Sequence, residues 1–447
     1  MTCALRSKRT LAPLLGLLAA AALTPASAMS LSEAYERAAE HDPYVAASRA
    51  QYEADREQGR QEFGSLLPSV TLGGSYYYAD TELEAAFGQS QDDYEGWSAP
   101  VELRQPLFRL DWFARRDRSR LFDSRADAAL RERELATLFR VAERYFGVLL
   151  AQDELTQAEA EAEAVRESLE DTRKRYEVEL VPGTDLKEAQ ARDDLAQARL
   201  LSARTGLITA QDALEEITGS GHVALPALDD DLAFPPLAPA NVDEWVAAAR
   251  EQSPSIALAR HAALIAGADR RSARSSASPV LDLVASAGRV DSSEYELGQL
   301  QDDARVGVEL SVPIYAGGIN AARLRQAEAS ERAAQAELTR VTLEVERLTR
   351  QSYRQASTAY FEVDAYQRSL ESALAAVAAT RADYDAGTRT ITDVLDAKSR
   401  VVQARRELNS TRYNLLLKLL ELRQRAGELS AADFDQIDTL LRYPPAP

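Results

Sequence analysis

The chain has 447 residues and a formal net charge of −19 at pH 7, with 71 acidic residues against 52 basic ones. An excess of negative charge of this size repels nucleic acid, so we expect no nucleic-acid partner. The histidines His41, His222 and His261 are scattered without metal-ligand spacing. No glycine-rich phosphate loop, nucleophile elbow or zinc signature is present either. We therefore expect no enzymatic activity, metal or cofactor.

Residues 1–28 have the features of a secretory signal peptide. Basic residues precede the apolar stretch 11–23, and small residues lead to a cleavage site after Ala28. The mature protein would then begin at Met29 with a net charge of about −22. Cleavage would also remove Cys3, the only cysteine, and with it any disulfide or lipid anchor. Export without cysteine indicates a bacterial envelope protein.

The mature chain repeats one series of sequence landmarks at an offset of roughly 210 residues. Four segments match in order: 31–51 with 242–262, 64–73 with 275–284, 101–108 with 308–315, and 175–189 with 383–397. This pattern predicts an internal duplication. We expect repeat 1 at 29–220, a proline-rich linker at 221–241, repeat 2 at 242–428 and a C-terminal tail at 429–447.

Each repeat is predicted to contain a short helix, two strands, a very long helix and a medium helix. The strands lie near 70–80, 96–105, 280–290 and 304–313, and they alternate apolar and polar residues. The polar segments 80–95 and 291–303 between them are predicted loops.

Two interpretations fit these strands. Alternation of this kind most often marks a half-buried soluble sheet. Strand lengths near the ~10 residues of a tilted membrane strand, and aromatic residues near the strand ends, favour an outer-membrane barrel instead. No segment after residue 28 is long and apolar enough for a transmembrane helix, so a membrane location would require such a barrel.

The long helices are predicted to form coiled coils. The segment from about 111 to 179 has no proline and would give a rod of roughly 100 Å. Apolar residues recur there in steps of three and four, from Leu138 to Tyr176, and again from Ala359 to Tyr384. Medium helices at 31–66 and 185–218 would run antiparallel beside the first rod, which places the turns at Gly183 and Gly387 at its far tip.

Strand number then predicts the assembly. Four strands per chain cannot close a barrel around a lumen, since about eight are needed. Three chains would supply twelve. The predicted fold is therefore mainly α with β: a trimeric outer-membrane β-barrel continued by a long antiparallel α-helical coiled-coil barrel. The alternative is a secreted coiled-coil structural or adaptor protein with a soluble β-domain.

The motifs that follow the strands and end the second long helix resemble one family. They are QPLF at 105–108, VPIYAGG at 312–318 and GTRTITDVLDA at 387–397. Together with the signal peptide and the repeated plan, they are similar to the TolC-type outer-membrane factor family over residues 30 to about 428, most of all to members of type I secretion and multidrug efflux. The resemblance implies a homotrimeric channel in the outer membrane of a Gram-negative bacterium. Its helical tunnel would dock a periplasmic adaptor protein and, through it, an inner-membrane transporter of ABC or RND type.

The resemblance also implies a latch at the helix tips. Tyr384 and Arg389 of the second repeat would bond to Thr184 and Asp185 of the first repeat and hold the coiled coils closed. Such contacts are worth only about 0.2–1 kcal/mol each when they are wet. A latch of several weak bonds suits a gate.

Asp393 and Asp396 resemble the carboxylate ring that forms the family's pore constriction. They are three residues apart and share a helix face, so threefold symmetry would place six carboxylates around a narrow pore and attract cations. A simpler alternative is that Thr392 caps the helix while Asp393 favours its dipole. Asp393 can serve both purposes.

The tip turns themselves, with Gly183, Gly387 and Thr388, are expected to dock the adaptor. The first turn departs from the family pattern because Glu179 stands where the second repeat has Gly387, and Pro182 precedes Gly183. We expect this turn to be stiffer and more acidic, which changes the contacts available to a partner.

Overall fold

The computed structural model describes residues 28–85, 88–228, 234, 236–292 and 299–442. The predicted signal peptide up to residue 27 and parts of the predicted linker and tail lie outside these residues. The described chain is mainly α-helical and contains an antiparallel sheet, as predicted. Within the described ranges, no helix combines the length and apolar character needed to cross a bilayer.

The helices follow the same order in both halves of the chain. In the first half they are α1 (Leu31–His41), α2 (Pro43–Gly64), α3 (Trp112–Glu177) and α4 (Gly183–Thr218). In the second half they are α5 (Val242–Gln252), α6 (Pro254–Arg274), α7 (Ile319–Asp385) and α8 (Ile391–Ala426), followed by α9 (Ala431–Asp438). The long helices have 66 and 67 residues, and the medium helices that follow them have 36 residues each.

The predicted helix at 31–66 is interrupted in the structure. Asp42 ends α1 and caps α2, and its side chain accepts a hydrogen bond from the Tyr44 amide at 2.8 Å. Pro43 occupies the first turn of α2, where its missing N–H costs nothing. Pro254 has the same position at the start of α6, after Ser253.

The long and medium helices pair into two rods. The helices α3 and α4 pack along each other, as do α7 and α8, and each pair is joined by a short turn, so its members run antiparallel. The helices α2 and α6 pack against the first parts of α3 and α7. At 1.5 Å per residue, each long helix spans about 100 Å. The turns between paired helices therefore lie far from the sheet.

The strands pair into one main sheet and a small ribbon. They are β1 (Ser69–Leu72), β2 (Ser75–Ala85), β3 (Gly88–Phe108), β4 (Ala227–Leu228), β5 (Val280–Ser292), β6 (Gln299–Ser311) and β7 (Leu441–Arg442). The main sheet has the order β1-β3-β5-β6, with β2 also on β3, and β4 pairs with β7. All neighbours are antiparallel.

The strands β1 and β2 lie one after the other along the same side of β3, so the sheet is four positions wide. Leu72 pairs with Val101 and Ser75 with Ser98, and the break falls opposite Pro100. Proline has no amide proton to donate to the ladder, which explains the interruption.

The predicted loop at 80–95 is wrong, because β2 and β3 stay paired as far as Ala85 and Gly88. The predicted loop at 291–303 is likewise shorter, since β5 and β6 pair up to Ser292 and Gln299. Backbone hydrogen bonds sustain a hairpin whatever the polarity of its side chains. Polar composition therefore understates strand length here.

One face of the main sheet is apolar and uncovered. On β6 the side chains of Val306, Val308 and Leu310 are 78%, 60% and 63% exposed. In the described part of the chain no helix packs extensively on the sheet. In a half-buried soluble sheet, other elements of the chain would cover this apolar face. One protomer leaves the face exposed, so it lacks the burial that the alternating pattern predicts for a soluble sheet.

The main core lies where the two rods pack against α1 and α9. It contains Tyr145 and Phe146 of α3, packed with residues of α1, α4, α8 and α9. The Tyr145 hydroxyl donates to the carbonyl of Met29 at 2.9 Å. Phe434 of α9 is fully buried, and Asp438 accepts a hydrogen bond from the Leu31 amide at 2.8 Å. Part of the predicted tail is therefore a folded element.

A half-buried polar contact joins α3 to α8 near this core. The carboxylate of Asp153 accepts hydrogen bonds from Asn409 at 2.9 Å and from the Tyr413 hydroxyl at 3.1 Å. Burial, followed by the nearby Asp153 charge, raises the pKa of Tyr413, so its hydroxyl stays a donor. The contact fixes the two rods side by side.

Candidate gate at the helix tips

The two tip turns have the same backbone hydrogen bonds. In the first, the Leu180 amide donates to the carbonyl of Arg175 at 2.8 Å, and in the second the Thr388 amide donates to that of Asp383 at 2.9 Å. Each turn has a second backbone hydrogen bond, which joins the residues one position inward from the first pair at both ends. Both long helices thus end in a Schellman-type turn before the medium helix begins.

The residue in left-handed conformation differs between the turns. Gly387 has a φ of 77°, and Glu179 at the matching place has a φ of 57°. A side chain in this region costs roughly 1–2 kcal/mol, whereas glycine adopts it freely. The predicted difference between the tips therefore has a backbone basis.

A direct hydrogen bond joins the two rods at the tip. Arg175 of α3 donates from Nη2 to the Tyr384 hydroxyl at 2.7 Å, and its Cζ lies 5.9 Å from the centre of the Tyr384 ring. Asp171 holds the same guanidinium through Nε at 3.0 Å. Tyr384 is thus a contact residue between the rods, with Arg175 as its partner in this protomer.

Asp393 caps α8, and its capping partner is Thr390 rather than the predicted Thr392. The Thr390 hydroxyl accepts from the Asp393 amide at 3.2 Å, while the Asp393 carboxylate accepts from the Thr390 amide at 2.9 Å. This is a capping box with aspartate in the third position. The bonds from the Thr390 backbone and hydroxyl, aided by Arg389, lower the pKa of Asp393.

Asp396 makes a second contact between the rods, an ion pair with Arg192. Its Oδ1 lies 3.5 Å from Nη1 of Arg192 on α4, and Arg192 also donates to Glu188 at 2.8 Å. More than half of the Asp396 side chain stays exposed. Its charge is therefore partly paired and partly open to solvent.

The predicted contacts of Tyr384 and Arg389 with Thr184 and Asp185 are not among the described contacts of one protomer. Arg389 lies 4.0 Å from Asp383 and 3.9 Å from Asp393, inside its own turn. Thr184 donates to its neighbour Asp185 at 3.2 Å. Among the described residues, no hydrogen bond or ion pair links Thr184 or Asp185 to Tyr384 or Arg389.

An apolar groove runs between the rods just behind the tips. Its volume is about 430 Å³, and it is lined by Val165 and Leu195 of the first rod and by Val377 and Leu395 of the second. Asp396 lies at its polar side. The rods therefore meet through small contacts around an open groove, and not through a continuous packed seam.

One group of side chains has a geometry that could hold a cation. Asp212, Glu215 and His222 lie near the end of α4, and Nε2 of His222 is 3.0 Å from Asp212 and 3.8 Å from Glu215. All three are exposed. An ordinary surface ion pair explains this arrangement.

Sequence reasoning does not single out Arg175 or Arg192. The available signal is a charge reversal between the repeats, since Arg175 stands where the second repeat has Asp383, each directly before a tip tyrosine. Equivalent positions of the two repeats that carry opposite charges are candidates for contacts between the two tips.

Comparison with known proteins agrees with this architecture. The sequence profile of the family described as "Outer membrane efflux protein" matches residues 34–220 and 245–428. The alkaline protease secretion protein AprF of Pseudomonas aeruginosa is 31% identical over 419 residues, covering 92% of this chain and 87% of that protein. The outer membrane protein TolC of Vibrio cholerae is 31% identical over 419 residues, covering 93% and 94%. In fold, the CmeC outer membrane channel of Campylobacter jejuni matches with a TM-score of 0.76 at 16% identity, covering 92% of this chain and 89% of that one.

Two helical rods joined to a sheet with a bare apolar face, in a chain with these relatives, define an outer-membrane channel protein of efflux or type I secretion. The chain belongs to the outer membrane efflux protein family. Its location is the outer membrane of a Gram-negative bacterium. The relatives are channel and secretion proteins rather than enzymes. The predicted family, function and location are thus confirmed.

The lowered pKa of Asp393 predicts a pH-dependent start of α8. Because this pKa lies below the usual 3.8, the capping contribution is complete above that usual value and is lost as the pH falls through the lowered pKa. We expect amide protection in the first turn of α8 to persist down to about pH 4 and to fall below it. Hydrogen–deuterium exchange, corrected for intrinsic rates, measures this.

The first turn of α4 is the internal reference, because its cap residue Pro182 offers no side-chain hydrogen bond. Asp393→Ala should remove the extra protection of α8 at every pH. Equal protection in this variant and in the unchanged chain at neutral pH would contradict the capping role.

Proposed function

We propose that three copies of this chain form one conduit, in which their sheets close a twelve-stranded barrel in the outer membrane and their rods form a periplasmic tunnel. The observation that carries this proposal is the bare apolar face of a sheet only four positions wide. A barrel of three such sheets pairs the free edges and turns the apolar faces toward lipid. We also infer that the chain arose by duplication, which is supported by the paired helix lengths and by the two profile matches.

The opposite face of the sheet fits the inside of such a barrel. Arg104 of β3 reaches Asp282 of β5 at 3.1 Å and Glu309 of β6 at 3.3 Å. Charged side chains bridging three strands on one face are suited to a water-filled lumen. The alternation predicted from the sequence thus separates a lipid side from a water side.

Export through the conduit needs partners at the other end. The relatives AprF and PrtF are secretion proteins, and the family is one of efflux proteins. We propose that the tip turns, with Gly183, Gly387 and Thr388, dock a periplasmic adaptor, which connects the tunnel to an inner-membrane transporter of ABC or RND type. The two turns offer this partner different surfaces, because Glu179 replaces glycine in one of them.

The tip contacts are proposed to keep the tunnel closed at rest. Arg175 and Tyr384 tie the rods of one protomer together. Arg389 is held in its own turn, so its proposed contact with Thr184 and Asp185 would form between neighbouring protomers. Each exposed contact is weak, and a docked adaptor can replace all of them.

Asp393 and Asp396 are proposed to form the cation-attracting ring of the constriction. Their places on one face of α8 give six carboxylates in a trimer. The hydrogen bonds that lower the pKa of Asp393 keep its charge in place. Asp396 contributes the more exposed carboxylate of the two, since its pairing with Arg192 is loose at 3.5 Å.

The assembly predicts that a charge on the apolar sheet face blocks insertion. Val306→Lys puts a cation toward lipid at a cost of about 2–4 kcal/mol near the bilayer midplane, in each of three copies. We expect this variant to be lost from the outer-membrane fraction and to give no trimer band after chemical cross-linking.

Arg305→Lys is the matched control, because it places lysine one residue away, on the polar face of β6. It should remain a cross-linked trimer in the outer membrane. A soluble, monomeric Val306→Lys protein alongside a soluble, monomeric unchanged chain would refute the trimer.

Loss of the Arg175–Tyr384 bond should raise resting conductance in planar bilayers. Three copies at about 0.2–1 kcal/mol each give at least about a threefold rise in the open-to-closed ratio. Tyr384→Phe and Arg175→Gln should have similar effects, and the double variant should add little, because both remove the same bond.

Tyr176→Phe serves as the control for this experiment. Tyr176 holds the matching position in the first repeat, and its hydroxyl makes no hydrogen bond within the described ranges. An additive double variant, or an equal rise with Tyr176→Phe, would exclude the latch.

The carboxylate ring predicts that trivalent cations block the channel. Asp396→Asn removes three of six charges without touching the cap of α8, and we expect the blocking concentration to rise about tenfold, equal to 1.4 kcal/mol. Asp364→Asn, an exposed residue of α7 paired with Arg368, should leave the block unchanged. Unchanged block in Asp396→Asn would remove this residue from the constriction.

A further inference from the structure

A polar cavity lies at the junction between the sheet and the rods. Its volume is about 590 Å³, it is open to solvent, and it is lined by the β3–α3 connection, the first turns of α3, the end of α6 and the second and third turns of α7. Its lining includes four arginines and several serines, among them Arg109, Arg115, Arg118, Arg323, Ser272 and Ser276. Arginines concentrated in one cavity stand out in a chain whose net charge is −19.

The carboxylates that line this cavity do not use all the N–H donors of its arginines. Asp111 accepts from Nε of Arg109 at 3.2 Å and from Nε of Arg115 at 2.7 Å. Burial acts to raise the pKa of Asp111, but the two arginines outweigh it and the pKa is lowered, so this carboxylate stays charged. Both terminal nitrogens of Arg109 and Nη2 of Arg115 make no hydrogen bond with described residues.

Arg118 and Arg323 complete the cluster in different ways. Arg118 is engaged by Asp269 at 2.6 Å and by Glu62, so it is held in place by two carboxylates. Arg323 is exposed, and in the described chain its side chain makes no hydrogen bond or ion pair. The four arginines exceed the two lining aspartates and the adjacent Glu62 together, so the cavity keeps a net positive charge.

Exposed apolar side chains lie at the same junction. Ile314 and Tyr315, between β6 and α7, are 95% and 86% exposed, and Phe113 at the start of α3 is 73% exposed. Large apolar and aromatic groups at one level of a membrane protein are typical of the boundary between lipid and water. Phosphate groups of lipids lie at that boundary.

We propose that this cavity binds a phosphate group, carried either by an anionic phospholipid of the inner leaflet or by a free phosphate. The forked guanidinium groups of Arg109, Arg115 and Arg323 supply parallel N–H donors that match phosphate oxygens, and the serines add hydroxyl donors. The apolar neighbours favour the lipid. Only the position at the leaflet rests on the proposed barrel; the binding of phosphate does not.

The test uses the full-length protein purified from outer membranes in a nonionic detergent. One arm titrates inorganic phosphate by calorimetry. The second measures retention of phosphatidylglycerol, against diacylglycerol as the phosphate-free lipid, by native mass spectrometry. We expect retention of phosphatidylglycerol over diacylglycerol, and at least about a tenfold loss of phosphate-group affinity in Arg323→Gln, equal to 1.4 kcal/mol.

Arg325→Gln is the matched control, since Arg325 is also exposed and also on α7 but does not line the cavity. Binding of phosphatidylglycerol alone identifies a lipid site, and binding in both arms identifies a general phosphate site. Equal affinity in Arg323→Gln, Arg325→Gln and the unchanged chain, or no binding in either arm, would overturn the proposal. If the protein is not a trimer, the proposed function fails, while the phosphate titration and the lipid-retention measurement still decide whether the phosphate site exists.

Discussion

The apolar face of the main sheet is the constraint on which the rest of the structure depends. A single protomer pairs its strands well but leaves Val306, Val308 and Leu310 open on one side. Water penalises such a face by about 25 cal/mol for each Å² that could be buried. Lipid removes this penalty, and a closed ring of strands also satisfies the sheet edges. The location of the protein and its proposed assembly thus follow from the same surface.

The packing of the two rods changes along their length. Beside α1 and α9 they are fixed by a packed core and by half-buried hydrogen bonds such as those to Asp153. Toward the tips the packing gives way to the open groove and to exposed contacts such as Arg175–Tyr384 and Arg192–Asp396. The packing therefore becomes looser along the rod toward the tips, where the proposed gate opens. A region that opens on contact with a partner has to come from the less stable part of a structure.

Much of this fold can be predicted from periodicity. The first long helix, expected from about 111 to 179, runs from Trp112 to Glu177. Strand ends are harder, because the hairpin of β2 and β3 continues through polar residues whose backbone bonds leave no mark in composition. The tail is also unreadable in isolation, since α9 is stabilised by contacts with α1 and not by a strong pattern of its own.

At the tips, local sequence rules do not identify all the residues that make contacts between helices. Two threonines, Thr390 and Thr392, could each cap the helix that contains Asp393. The structure uses Thr390, which lies three residues before Asp393 as a capping box requires. The partner of Tyr384 depends on how two rods meet, so Arg175 cannot be found from either helix alone. Residues that act between elements are therefore the ones that sequence reasoning finds last.

The unequal tip turns have a consequence for symmetry. In the proposed trimer, six helical hairpins would alternate between one closed by Gly387 and one closed by Glu179 in a costlier backbone conformation. A ring of six identical subunits placed against such a rim would meet two kinds of hairpin in turn. Its neighbouring subunits would then have to bind in two different ways.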